Sequence, residues 1–355
     1  MNVLLGVFYH FIGGFASGSF YLPFKKVRGW SWESYWIVGG LFSWLIVPWI
    51  AASATIPGFT GIIAHTSAST LFWTYVLGLL WGIGGLTFGL TMRYLGLSLG
   101  MSVVLGLCST FGALIPPIYR DLTGIAGETF THMLHSAGGQ WVLCGVLVCL
   151  LGIGVCGKAG MMKEASQPEA EKKASIREFN LGLGLTVAII SGILSACFNF
   201  GIEAGQSMAR AAVASGANPL FQNNVVFVVL LWGGLTTNLL WCVMLNLRNR
   251  SYGDYTRRDT PQLANYGFSA LAGTIWFLQF FFYGMGASKL SNGASSWILH
   301  MAFIIVIANA WGLLLREWKG VDRRTLATVL GGIAIILGSV MIVGYGNALQ
   351  GAAGH

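Results

Sequence analysis

The sequence predicts an all-α membrane protein of ten transmembrane helices, arranged as two inverted five-helix repeats, and three observations carry that expectation. Of 355 residues, 55% are hydrophobic and 9% charged, with mean hydropathy +0.69, whereas a soluble domain carries about 25% charged residues. So few charges cannot solvate the surface of a chain this long, which excludes soluble, secreted and disordered classes. Ten apolar runs each approach the roughly 20 residues that a span requires. Segments of the first five runs also resemble segments of the last five, in the same order.

The spans are expected at about 3–24, 35–56, 72–95, 99–119, 140–157, 181–205, 220–246, 265–288, 294–315 and 325–346. The apolar start at Val3 has no preceding Lys or Arg and no cleavage site after it, so it reads as span 1 and not as a signal peptide. The longest polar stretch, Lys158 to Asn180, divides the chain into an N-terminal half (1–157), a cytoplasmic linker (158–180) and a C-terminal half (181–355). Cys108, Cys144, Cys149, Cys156, Cys197 and Cys242 all fall inside apolar spans without a CxxC pair, and read as small lipophilic side chains.

Cytoplasmic loops collect Lys and Arg. Seventeen of the 20 fall on one side: Lys25, Lys26, Arg28, Arg93, Lys158, Lys163, Lys172, Lys173, Arg177, Arg248, Arg250, Arg257, Arg258, Arg316, Lys319, Arg323 and Arg324. Only Arg120, Arg210 and Lys289 fall on the other. That asymmetry puts the loops that follow odd-numbered spans in the cytoplasm and both termini in the periplasm. It also explains the net charge of +8 by orientation in a lipid bilayer, with no nucleic-acid partner.

The repeat aligns span 1 from Gly13 on span 6 from Ser191, pairing Gly14 with Gly192, Ser17 with Ser195 and Phe20 with Phe198. Span 5 aligns on span 10 through Leu151–Leu337 and Gly152–Gly338, and span 3 on span 8 through Trp81–Trp276 and Gly89–Gly284. An odd number of spans per half turns the second copy upside down. Inverted repeats mark secondary transporters, whose halves enclose a midplane site and open alternately to each side. The small-residue pairs Gly14/Gly18, Gly78/Gly82, Gly85/Gly89 and Gly96/Gly100 suit close helix packing. Pro23, Pro48, Pro116 and Pro117 suit bends.

Polar groups at membrane depth are costly enough to be functional candidates. His10, Asn199, Gln279 and His300 come out at similar depths on four different helices, and are expected to form one polar layer. Amides and imidazoles both donate and accept, which suits a polyhydroxylated solute, while Tyr21, Tyr283, Trp81, Trp276 and Trp297 are candidate stacking walls. For proton coupling the titratable candidates are Glu203, His10 and His300. No HExxH, GxSxG or paired-carboxylate pattern occurs, so no catalytic residue is assigned and an enzyme is not expected. The GxxxxGK string at Gly152–Lys158 has Ala159 where a phosphate loop needs Ser or Thr. The His132/His135 pair in the loop between spans 4 and 5 is a poor metal site, and no metal or organic cofactor is expected.

The runs FYLPFKKVRGWSWESYW (Phe20 to Trp36), LTMRYLGLSLG (Leu90 to Gly100), LQFFFYG (Leu278 to Gly284) and SWILHM (Ser296 to Met301), with REFNLGLGL at the start of span 6, resemble the bacterial L-rhamnose–proton symporter family. That family belongs to the drug/metabolite transporter superfamily. The resemblance runs through nearly the whole chain and implies a ten-helix inner-membrane carrier that takes up L-rhamnose or a related 6-deoxyhexose by symport, with the proton as coupling ion. The matching positions are His10, Tyr21, Pro23, Lys25, Lys26, Trp30, Trp32 and Glu33, then Trp81, Arg93, Gln279, Tyr283, Trp297 and His300. The chain departs from the family pattern at Gly85 and Thr87, and at FNFGIEAGQSM from Phe198 to Met208. These departures leave room for a rival, an exporter or facilitator of another sugar, sugar acid or small metabolite.

Overall fold

Prolines shape several of the helices. A proline lacks an N–H and its ring crowds the carbonyl four residues back, so the chain must bend, widen or find another donor for that carbonyl. All three responses occur in the computed structural model, which describes residues 3–95, 97–124, 127–166, 181–290, 293–315 and 318–353. Span 1 breaks at Phe20, three residues before Pro23, and resumes as a single turn at Tyr21–Phe24. Span 2 widens to a π-helical turn over Phe42–Ile46, just before Pro48, where the Val47 N–H reaches back to the Phe42 carbonyl. Span 4 stays helical from Leu97 to Thr123 around Pro116 and Pro117.

Among the described residues, ten helical segments are long and apolar enough to cross a membrane: Val3–Phe24, Trp32–Thr55, Ala68–Phe88, Val103–Thr123, Ala137–Lys163, Gly182–Ala214, Pro219–Asn249, Gln262–Ala287, Gly293–Leu314 and Arg323–Gln350. They coincide with the ten expected spans. No strand occurs among the described residues. The helix of span 5 runs on to Ala165, so the first residues of the expected linker are helical, while 167–180 lies outside the described residues. Span 6 breaks at Gly205 and continues as Gln206–Ala214. Large apolar side chains face outward along the spans, Leu147 and Met341 among them, as expected of helices solvated by hydrocarbon.

The helices group into two compact units. The first comprises Met1–Gly14, Gly84–Asn199 and Gly286–His355, and the second Phe15–Ile83 and Phe200–Met285. The chain therefore changes unit inside spans 1, 3, 6 and 8.

Within the first unit, spans 5 and 10 form an antiparallel zipper. Gly138 packs on Gly346 and Gln350, Gly145 on Val343, Gly152 on Ile336, and Cys156 on Gly332. The small residues recur every seventh position on both helices: Gly138, Gly145, Gly152 and Ala159 on one, Gly332, Ser339 and Gly346 on the other. A seven-residue repeat keeps one seam facing its partner, and small residues let backbones approach in lipid. A Cβ added at Gly152 would lie 2.6 Å from Ile336 Cγ1, so the seam tolerates no side chain there.

Within the second unit, spans 3 and 7 meet through Gly78 and Gly82 against Gly233 and Gly234. A core of Ala52, Ile56, Phe59, Met208, Ala209, Ala212, Val225, Val226, Val228 and Val229 packs the end of span 2 and the short helix after it on the continuation of span 6 and on span 7. A polar network closes the other end of span 2. The Asp254 carboxylate accepts from Ser31 N (2.7 Å) and Ser34 Oγ (2.8 Å), capping a helix start where negative charge is favoured. Glu33 is buried nearby and accepts from Ser251 Oγ at 2.6 Å and Asn249 Nδ2 at 3.0 Å. Asn265 holds the preceding loop by bonding both the N–H and the carbonyl of Arg28.

Candidate functional site: a buried imidazole pair and its surroundings

In the first unit, span 1 supplies His10 and span 9 supplies His300. Both rings are buried, 0% and 4% exposed, and meet edge to face with centroids 5.9 Å apart. Gly286 allows this approach: a Cβ there would sit 2.7–2.9 Å from three atoms of the His10 ring. Gly14, one turn further along span 1, lies against Phe303 and brings the two helices together. Two like charges 5.9 Å apart repel by about 3 kcal/mol at an effective dielectric near 20. Simultaneous charge on both rings is therefore disfavoured.

Asn199 and Trp297 also belong to the first unit, and both donate to the backbone of span 4. Pro116 deprives the Gly112 carbonyl of its helical donor, and Asn199 Nδ2 takes that place at 2.9 Å. Trp297 Nε1 donates to the Cys108 carbonyl at 3.0 Å, with its indole laid over Gly112, where a Cβ would collide with the ring. Ser191 does the same for span 3, donating to the Gly84 carbonyl at 2.9 Å. Thr87 donates to that carbonyl too, and Gly85 faces open space.

The other predicted residues lie in the second unit. Gln279 and Tyr283 are buried one turn apart on span 8. Glu203 is half-buried beside the break at Gly205, within electrostatic range of the Tyr283 phenol. Trp81 lies on Gly234, edge-on to Phe280 at 5.7 Å and to Trp44 at 6.3 Å. Tyr21 is 41% exposed and stacks edgewise on Phe20 and Phe24. Of the indole triangle of Trp36, Trp44 and Trp276, whose centroids are 5.2–6.2 Å apart, sequence reasoning named Trp276 as a candidate wall and missed the other two. It also passed over an open cleft of about 690 Å³ bordered by His65, Thr66, Thr70, Ser207 and Ser215.

All six cysteines are free thiols. Among the described residues no three His, Cys, Asp or Glu side chains gather as a metal site. His132 of the HxxH pair bonds Glu128 at 3.0 Å on an exposed turn.

Residues 1–349 match the model of the L-rhamnose-proton symport protein family. The chain belongs to that family. An L-rhamnose-proton symporter of Klebsiella pneumoniae subsp. pneumoniae is 38% identical over 353 residues, covering 98% of each chain. One of Salmonella paratyphi A is also 38% identical, and one of Salmonella newport 37%, with the same coverage. Membership of a symport family, together with ten membrane-length apolar helices, makes this a multi-pass inner-membrane carrier and not an enzyme, with the proton as coupling ion.

Proposed function

We propose that this chain brings L-rhamnose, or a related 6-deoxyhexose, into the cell with protons by alternating access, and that the His10–His300 pair carries the coupling proton. The substrate reading rests on the full-length similarity to L-rhamnose-proton symporters. The coupling reading rests on one observation, the edge-to-face contact of two buried imidazoles. A coupling group must gain and lose a proton near neutral pH, and imidazole is the side chain whose ordinary pKa lies there. Mutual repulsion makes the second protonation costly, so the pair passes protons singly.

Sugar contacts are proposed within each unit. In the first, His10 and His300 serve as hydroxyl partners, with Trp297 one turn before His300 on span 9 and Asn199 on span 6. In the second, Gln279 provides a donor–acceptor amide, and Tyr21, Trp81 and Tyr283 provide aromatic faces for the sugar's C–H surfaces. The excess of Lys and Arg in alternate loops supports two periplasmic termini in a lipid bilayer. The unit boundaries fall inside spans 1, 3, 6 and 8, the members of two of the three matched repeat pairs. That supports the inverted repeat and the drug/metabolite transporter superfamily.

The test is the external pH of lightly buffered, de-energised vesicles containing the protein when L-rhamnose is added, followed by other sugars and sugar acids. Alkalinisation with L-rhamnose is expected. Saturable L-rhamnose exchange without a pH change would refute coupling, and a signal with another solute alone would reassign the substrate.

A further inference from the structure

Between spans 2 and 3 the chain makes an extra turn of helix, and that excursion walls the open cleft of about 690 Å³ in the second unit. Gly58, at φ 61°, turns the end of span 2 into the short helix Phe59–His65, which packs on the continuation of span 6, Gln206–Ala214. Phe59, Met208, Ala209 and Ala212, all in the buried core, fix these two walls. A Cβ at Gly58 or Gly61 would meet nothing within 4 Å, so the space beside both glycines is open. The volume falls in the range of small-molecule sites, roughly 300–1,000 Å³. The loop charges support a periplasmic position for this end of the unit.

The polar groups of the cleft are mostly acceptors. Thr66 gives its proton to the Ile62 carbonyl at 2.7 Å and Ser215 gives its own to the Ala212 carbonyl at 2.8 Å, so each has only lone pairs left. His65 Nδ1 bonds the Gly61 carbonyl at 2.7 Å; a carbonyl only accepts, so Nδ1 carries the proton and Nε2 of the neutral ring is an acceptor. Ser67 and Ser207 Oγ lie 3.0 and 3.5 Å from Thr70 Oγ1. These three hydroxyls hold three protons and their two contacts use two, which leaves one donor and several lone pairs. Among the described residues that border the cleft none is Lys, Arg, Asp or Glu. An anion would find too few donors there, and a cation no carboxylate. A solute with several hydroxyl protons of its own matches the inventory.

We propose that this cleft is a peripheral binding site for an uncharged polyhydroxylated solute, separate from the groups at membrane depth. That the solute is the transported sugar rests on the proposed function; the existence of the site does not.

The experiment places a reporter in the cleft with Ala211→Cys, an exposed lining position without a polar side chain. Its alkylation by a charged, membrane-impermeant maleimide is followed in reconstituted protein at increasing L-rhamnose, then other neutral sugars, sugar acids and inorganic phosphate. The parent chain, whose six thiols all lie within spans, gives the background. Saturable protection by L-rhamnose is expected. Thr70→Val removes the shared hydroxyl at nearly constant volume and should raise the half-protecting concentration about tenfold, the value of one hydrogen bond. Gly61→Leu fills the cleft and should abolish protection; if it fails to fold, Thr70→Val carries the test alone. Protection that neither substitution alters would come from elsewhere in the protein and overturn the site. Absence of protection by any neutral sugar, in protein that still transports L-rhamnose, would overturn it and leave the transport reading intact. Protection by phosphate or sugar acids alone would overturn the uncharged ligand. Protection by another neutral sugar, with L-rhamnose neither protecting nor transported, would uphold the site and refute the substrate.

Discussion

The two units differ in how they satisfy buried polar groups. In the first, single side chains serve the backbone: Asn199 supplies the donor that Pro116 removed from Gly112, Trp297 reaches the Cys108 carbonyl and Ser191 the Gly84 carbonyl. In the second, side chains serve the backbone and, in addition, each other, as Glu33, Ser251, Asn246, Ser34 and Asp254 link into a chain. The first arrangement depends on glycines that admit a neighbour to the helix surface, so it is vulnerable to added volume. The second depends on carboxylates that terminate several donors, so it is vulnerable to loss of an acceptor. Hydrophobic burial cannot separate helices from lipid tails, so in both units packing and hydrogen bonds give the helices their specificity.

The largest effect expected from breaking this contrast is at the zipper. Gly152→Leu would force a side chain into the Ile336 backbone and side chain, at or above the upper end of the ~1–3 kcal/mol usual for overpacking. The expected result is loss of the monodisperse peak in size-exclusion chromatography, with Gly85→Ala, which meets nothing within 4 Å, eluting unchanged. Next comes Glu33→Ala, which removes the acceptor of Asn249 Nδ2 and leaves Ser251 Oγ only its 3.2 Å bond to Asn246 Oδ1. Loss of hydrogen bonds to a charged acceptor is worth about 2 kcal/mol, read as a lower thermal midpoint. The smallest is Asn199→Leu, which leaves one neutral carbonyl unserved at about 1 kcal/mol. If it destabilised more than Glu33→Ala, the division between the two modes would fail.

The spans were legible because each needs only length and apolarity, and span 9 was expected at 294–315 and runs Gly293–Leu314. Span 2 begins earlier than expected, at Trp32, because Asp254 caps it from more than two hundred residues away, a partner no local window contains. The role of Asn199 was partly written in the sequence: a proline at 116 implies an unserved carbonyl at 112, though not which side chain serves it. The seven-residue glycine spacing of span 5 was equally present, and the search for four-residue pairs passed over it. Depth placed His10 and His300 at a common level, but contact between them depends on Gly286, whose role appears only in three dimensions. The indole triangle was hidden because Trp44 lies within the π-helical turn and Trp276 comes from span 8, more than two hundred residues away.

Uphill accumulation of L-rhamnose driven by an imposed pH gradient, measured beside sugar counterflow in proteoliposomes bearing His10→Gln, His300→Gln or Glu203→Gln, tests the buried imidazole pair most directly. Both histidine variants should lose accumulation while retaining counterflow, and Glu203→Gln should retain both. Full accumulation in the histidine variants, with its loss in Glu203→Gln, would contradict the assignment and move the coupling proton to the carboxylate of span 6.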